Sequence, residues 1–190
     1  MFRIGKARRA SGERGAALVE TAILIPVVIV ITFGLIEFSS AYQSSSTATA
    51  AARTAARTAS AEALLPTYAT DAAAAAATAL KQVPANEPVE MWIYRANTAG
   101  YPESGGFTSC TTHCIKYNWL SASRTFDTAN PSGGGWPYSQ QNACNQNNWD
   151  SVGVYIKLNH QFLTRLFGAS ITLSDHAVFR LEPAPTQLCP

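Results

Sequence analysis

The feature that most restricts this chain is an apolar run from Ala16 to Ile36 with one carboxylate, Glu20, set inside it. Its 21 residues, wound as a helix at about 1.5 Å each, reach roughly 31 Å, enough to cross a bilayer's hydrocarbon core. The run is a transmembrane helix candidate. An ionised side chain among acyl tails costs about 3 kcal/mol or more unless something pairs with it. Glu20 therefore wants a partner.

A basic leader, residues 1–15, precedes the run and carries Arg3, Lys6, Arg8, Arg9 and Arg14 against the single acid Glu13. From Ala16 onward nine basic side chains face eleven acidic ones. That asymmetry keeps the N-terminus cytoplasmic and sends the remainder across the cytoplasmic membrane. It also argues against nucleic acid as a partner, because the basic cluster abuts the membrane span. If a peptidase cuts after Gly15, the new ammonium at Ala16 stands one helical turn from Glu20. The carboxylate of one subunit then pairs with the terminal amine of another.

This layout (basic leader, Gly at the cut, a small first residue, Glu at the fifth mature position, an apolar helix) resembles prepilins and pseudopilins of the type IV family. Within that group the chain resembles the TadE-like proteins of the bacterial tight-adherence (Tad) pilus. The likeness rests on Gly15-Ala-Ala-Leu-Val-Glu20 followed by Pro26, and on Phe33-Gly34-Leu35-Ile36-Glu37. It rests also on Ala52-Arg53-Thr54-Ala55-Ala56-Arg57 and on Thr172-Leu173-Ser174 leading to Arg180-Leu181-Glu182-Pro183. The resemblance implies processing by a prepilin peptidase at Gly15, Ala16 and Glu20. It further implies packing against other pilin or pseudopilin subunits and the Tad machinery through a helix face containing Ile23, Pro26, Val27, Val30 and Gly34. The expected role is minor pilin in pilus assembly, adhesion and biofilm formation.

Two rival readings attach to the same stretch. A secretory signal peptide would use Ser39 and Ala41 as small residues before its cut, but its apolar core would be shorter, about 7–15 residues, and free of a Glu. An unprocessed single-pass anchor would let Glu20 snorkel toward the headgroups and would present an extracytoplasmic domain that recognises glycan or protein.

Beyond the span, taken as residues 16–42 to include Tyr42 at the interface, the sequence predicts Ala-rich helices over 43–83, broken at Pro66. Glu37 is expected to be solvated at the membrane exit. Arg53 and Arg57, four apart, should share a solvated face, and Thr70 or Asp71 should cap the second helix. The period then changes to two. Val89–Arg95, Val152–Leu158 and Ala177–Glu182 read as strands, and Gln161–Phe167 as a short helical connection ending at Gly168. The expected fold is α+β: a long N-terminal helix, then a small antiparallel sheet over 89–190 interrupted by a stapled insert, 96–150.

That insert holds Cys110, Cys114 and Cys144, with Cys189 near the C-terminus. Four cysteines in an extracytoplasmic domain suggest two disulfides, and all three pairings stay open. Zinc is the rival, since His113 lies between Cys110 and Cys114, but its remaining ligands would be scattered singles. No metal or other cofactor is expected. The insert's Trp119, Trp136, Tyr138 and Trp149 are read as its own small core or as exposed contacts for a partner. His113, His160 and His176 are widely spaced, and Gly133-Gly134-Gly135 lacks the Lys of a phosphate loop. Ser174, Asp175 and His176 are consecutive, so in a strand they alternate faces and cannot act together. No catalytic residues are assigned, and the chain is not expected to be an enzyme.

Overall fold

A computed structural model describes residues 11–145, 148–165 and 167–189. The leader's Arg3, Lys6, Arg8 and Arg9 fall outside them. The chain divides into two compact units, residues 1–39 and 40–190.

Among its described residues the first unit is helical. Helix α1 spans Ser11–Ala61 with Pro26 inside it, and before residue 40 it exposes large apolar side chains on every side, among them Leu18, Ile23, Val28, Ile31 and Leu35. A water-facing helix confines such residues to a stripe, whereas one apolar all round is built for lipid or for burial in a large assembly. The helix is long and apolar enough to cross a membrane. Thr21 and Thr32 donate their hydroxyls to the carbonyls of Ala17 and Val28, one turn back, at 2.7 and 2.8 Å. Neither hydroxyl then needs water. Glu37, expected to be solvated, is instead 1% exposed.

In the second unit, α1 continues as a helix whose buried stripe is nearly all alanine: Ala48, Ala51, Ala52, Ala55, Ala56 and Ala59 are fully buried. Their alternating spacing of three and one is the 3.6-residue period of one helix face. Arg53 and Arg57 are exposed, as expected of a solvated face. Helix α2, Tyr68–Ala79, buries Ala72, Ala73, Ala76 and Ala77 in the same manner. It starts earlier than the sequence suggests. Thr67 is the N-cap residue without a side-chain bond, Thr70 donates back to the Thr67 carbonyl at 2.8 Å, and Asp71 sits in the first turn, where its charge suits the helix dipole.

Among the described residues six antiparallel strands form the sheet: β1 Pro88–Arg95, β2 Cys114–Leu120, β3 Thr125–Phe126, β4 Ser132–Gly135, β5 Ser151–Gln161 and β6 Ser170–Arg180. Their order is β3-β2-β1-β5-β6, with β4 also pairing β2. Alternation along the strands sorts the faces. Met91 and Ile93 of β1, with Val152, Val154, Ile156 and Leu158 of β5, join the helical alanines in one core. Trp92, Tyr94, Cys114 and Tyr155 look the other way, into a smaller cluster closed by Phe107 and Cys110. Helices thus cover one face and part of the insert covers the other.

Three expectations are corrected here. The insert is not a separate core: it supplies β2, β3 and β4, and its Tyr117, Trp119, Phe126 and Trp136 enter the main core. Gln161–Phe167 is not helical among its described residues, because β5 and β6 form one long hairpin paired from Ser151↔Arg180 to Gln161↔Ser170. Its turn uses positive φ at Arg165 and Gly168, 59° and 114°, values a helix does not allow. The third strand accordingly begins at Ser170, not Ala177.

The disulfides join Cys110 to Cys114 and Cys144 to Cys189. The first explains the glycine run. A Cβ on Gly134 would lie 1.5 Å from the Thr111 carbonyl oxygen, and one on Gly133 would lie 2.9 Å from Cys110 Sγ. Strand β4 can therefore lie against the disulfide loop only with glycine at 133 and 134.

Candidate functional site

The residues expected to direct processing lie at the start of the described helix. Gly15, Ala16 and Glu20 are helical and exposed. A Cβ built on Gly15 meets nothing within 4 Å, so nothing in the chain's own packing requires glycine there. Glu20 follows Ala16 by one helical turn, about 6 Å of rise. Farther along, Ile23, Val27, Val30 and Gly34 recur at intervals of four, three and four, which places them on one helix face. Ile23, Val27 and Val30 are exposed, and Gly34 is buried. Pro26 leaves the carbonyl one turn before it without its usual donor.

A second group emerges only when the second unit folds. His160, near the end of β5, is 4% exposed, Glu87 just before β1 is 2% exposed, and Ser44 of α1 is 4% exposed. His160 Nδ1 lies 2.8 Å from Glu87 Oε1, and the Ser44 hydroxyl donates to Glu87 Oε2 at 2.9 Å. Ser44 Oγ also lies 3.2 Å from Nδ1, while Ser40 Oγ faces Nε2 at 3.4 Å. The Asn159 amide donates to the Glu87 carbonyl at 2.7 Å, locking the acid to the strand that carries the histidine. A cavity of about 470 Å³ opens on this group.

Glu87, His160 and Ser40 stand in the order acid, imidazole, hydroxyl. Ser40, however, lies inside α1, where backbone N–H groups are used by the helix ladder and none is free to hold an oxyanion. The arrangement serves as a buried polar brace that fixes α1 to β1 and β5. Sequence reasoning treated His160 as isolated, yet a signal was present. Val152, Val154, Ile156 and Leu158 step by two toward the core, and the next step is His160.

The other histidines go elsewhere. His113 Nδ1 lies 2.8 Å from Glu103 Oε2, and Glu103 in turn meets Arg95 at 3.3 Å. His176 stacks on Tyr101 at 5.7 Å between centroids, while its neighbour Asp175 accepts the Thr49 hydroxyl of α1. The two consecutive residues thus face apart. Cys110 and Cys114 bond each other, which removes the zinc reading built on them and His113.

The C-terminal stretch grips α1 as well. The Ser60 hydroxyl donates to the Arg180 carbonyl at 2.6 Å, and the Glu182 amide donates to the Ser60 carbonyl at 3.0 Å. Burial pushes the phenols of Tyr68, Tyr94 and Tyr117 above their usual range. Tyr68 donates its hydroxyl to the Trp136 carbonyl, and Tyr94 donates to the Gly100 carbonyl at 3.0 Å.

Comparison with curated proteins and with solved structures finds no match to this chain. Its N-terminal helix is the part that a protein family accounts for: residues 15–57, from the glycine before Ala16 to the second exposed arginine, match the TadE-like protein family.

Proposed function

We propose that this chain is a minor pilin or pseudopilin-like component of a Tad-type pilus, matured by a prepilin peptidase that cuts after Gly15. The observation that carries the reading is a family match beginning at Gly15 on a helix whose apolar residues are exposed all round. Such a helix needs lipid or neighbouring helices. A membrane holds it first, and the helices of other subunits replace lipid when it packs into the fibre or its base. The basic leader stays in the cytoplasm and the second unit lies outside, where two disulfides form readily.

Glu20 has two tasks in this scheme. It is recognised during processing, and it then pairs with the Ala16 ammonium of a neighbouring subunit, so two charges enter the apolar bundle as a pair. Ile23, Val27, Val30 and Gly34 supply the adjoining packing face. The partners are the peptidase, sister pilins, the Tad assembly machinery and the bilayer, and the biological outcome is adhesion. Because Gly15 has open space around it, Gly15→Phe should leave the fold intact while abolishing the cut. Expressed beside an active prepilin peptidase, the variant should run on a gel at precursor size and the native chain at mature size. Equal processing of both overturns the proposal.

A further inference from the structure

The cavity over the Glu87–His160 pair has features that the brace alone does not explain. Glu87 is almost fully buried, and its partners are a serine hydroxyl and an imidazole. Among the described residues no Lys or Arg lines the cavity, and the ion-pair partner of Glu87 is His160, an imidazole that is charged only when protonated. A buried carboxylate without a permanent cation attracts one. The walls add acceptors: the hydroxyls of Ser40 and Ser44 and the side-chain carbonyls of Gln43, Asn86 and Gln161 all belong to residues lining it. A primary ammonium has three N–H donors and needs three acceptors with a negative charge among them. A quaternary ammonium has no N–H to give, and Phe162 alone makes no aromatic cage for it.

The rim indicates where such a group comes from. Leu163, which lines the cavity, is 79% exposed, an unfavourable position for a leucine in water and a suitable one among acyl chains. Ser40, Gln43 and Ser44 follow the apolar run in sequence after Glu37, Phe38 and Ser39, and Tyr42 among them is 77% exposed, the residue type that settles at headgroup level. We infer that this cavity receives the primary ammonium of an ethanolamine phospholipid headgroup, held by Glu87 with Ser40 and Ser44. The inference rests on the proposal that the apolar run sits in a bilayer. Its test is chosen so that the two can fail separately.

The full chain is reconstituted in vesicles of equal phosphatidylethanolamine and phosphatidylcholine, released into detergent, and its retained lipid is identified by native mass spectrometry. Ethanolamine lipid should be retained over choline lipid by about tenfold, the scale of one charge-assisted hydrogen bond. Glu87→Gln, equal in shape but uncharged, should abolish that preference. Equal retention of the two lipids by the native chain overturns the inference without reference to any variant, and so does a preference that survives Glu87→Gln in a variant with native disulfides and an unchanged melting curve. Flotation with pure phosphatidylcholine vesicles reports the anchor by itself. A chain that floats yet shows no lipid preference loses only the headgroup site, whereas one that does not float loses the anchor and the lipid source together.

Discussion

A single carboxylate separates this helix from an ordinary anchor. Glu20 is exposed on the helix, and in the proposed scheme its role depends on an ammonium supplied by a neighbouring subunit. Glu20→Gln keeps the shape and removes the charge. We expect that variant to enter the membrane but to be matured or assembled at least tenfold less, the factor of about 1.4 kcal/mol, as read from sheared pili on an immunoblot. Glu62 offers a prediction of a different kind. Burial, and then the negative charge of Asp71, hold its carboxyl above the usual value. A raised carboxyl means that Glu62 favours the folded state while protonated and that this contribution is lost as pH rises through its folded value. Glu62→Gln should therefore raise the melting temperature at pH 7, and the gain should shrink on acidification through the carboxylate range. A gain that grows at low pH would show the sign to be wrong. Gly134 is constrained by space alone. Because its Cβ would collide with the Thr111 carbonyl, Gly134→Ala should destabilise the second unit by about 1–3 kcal/mol in denaturant titration, whereas Gly15→Ala should leave it unchanged.

Among the elements, the alanine stripe of α1 sets how closely the helix approaches the core. Ala55 and Ala56 have no exposed surface, so Ala55→Leu must push the helix outward and should destabilise by about 1–3 kcal/mol in denaturant titration. Arg57→Leu, on the opposite face, should stay within about 0.5 kcal/mol. The helices and strands β1 and β5 were legible in the sequence because one period runs through each of them. Strand β2 was legible too and was overlooked: Ile115, Tyr117 and Trp119 alternate with Lys116 and Asn118, and the last two apolar residues are buried. What hid it was the Gly-, Ser- and Asn-rich sequence around it. The hairpin end of β5 and β6 was misread because Phe162, Leu163, Leu166 and Phe167 imitate a helical spacing, while the positive φ at Arg165 cannot be seen in residue types. The polar group of Ser44, Glu87 and His160 joins three elements far apart in sequence, so only the strand phase of His160 hinted at it.

At the scale of the whole molecule, an exposed apolar helix precedes a folded unit in which α1, the sheet and two disulfides are tied together. The division fits the proposed assembly subunit, in which one part would exchange lipid for neighbouring helices while the other keeps its structure. The proposed cut after Gly15 is central, since without it there is no Ala16 ammonium and Glu20 has no partner of the proposed kind. The most direct measurement is the intact mass of the chain purified from membranes that contain a prepilin peptidase. The account predicts a chain beginning at Ala16 with both disulfides formed; a chain that begins at Met1, or one released after Ala41, would contradict it.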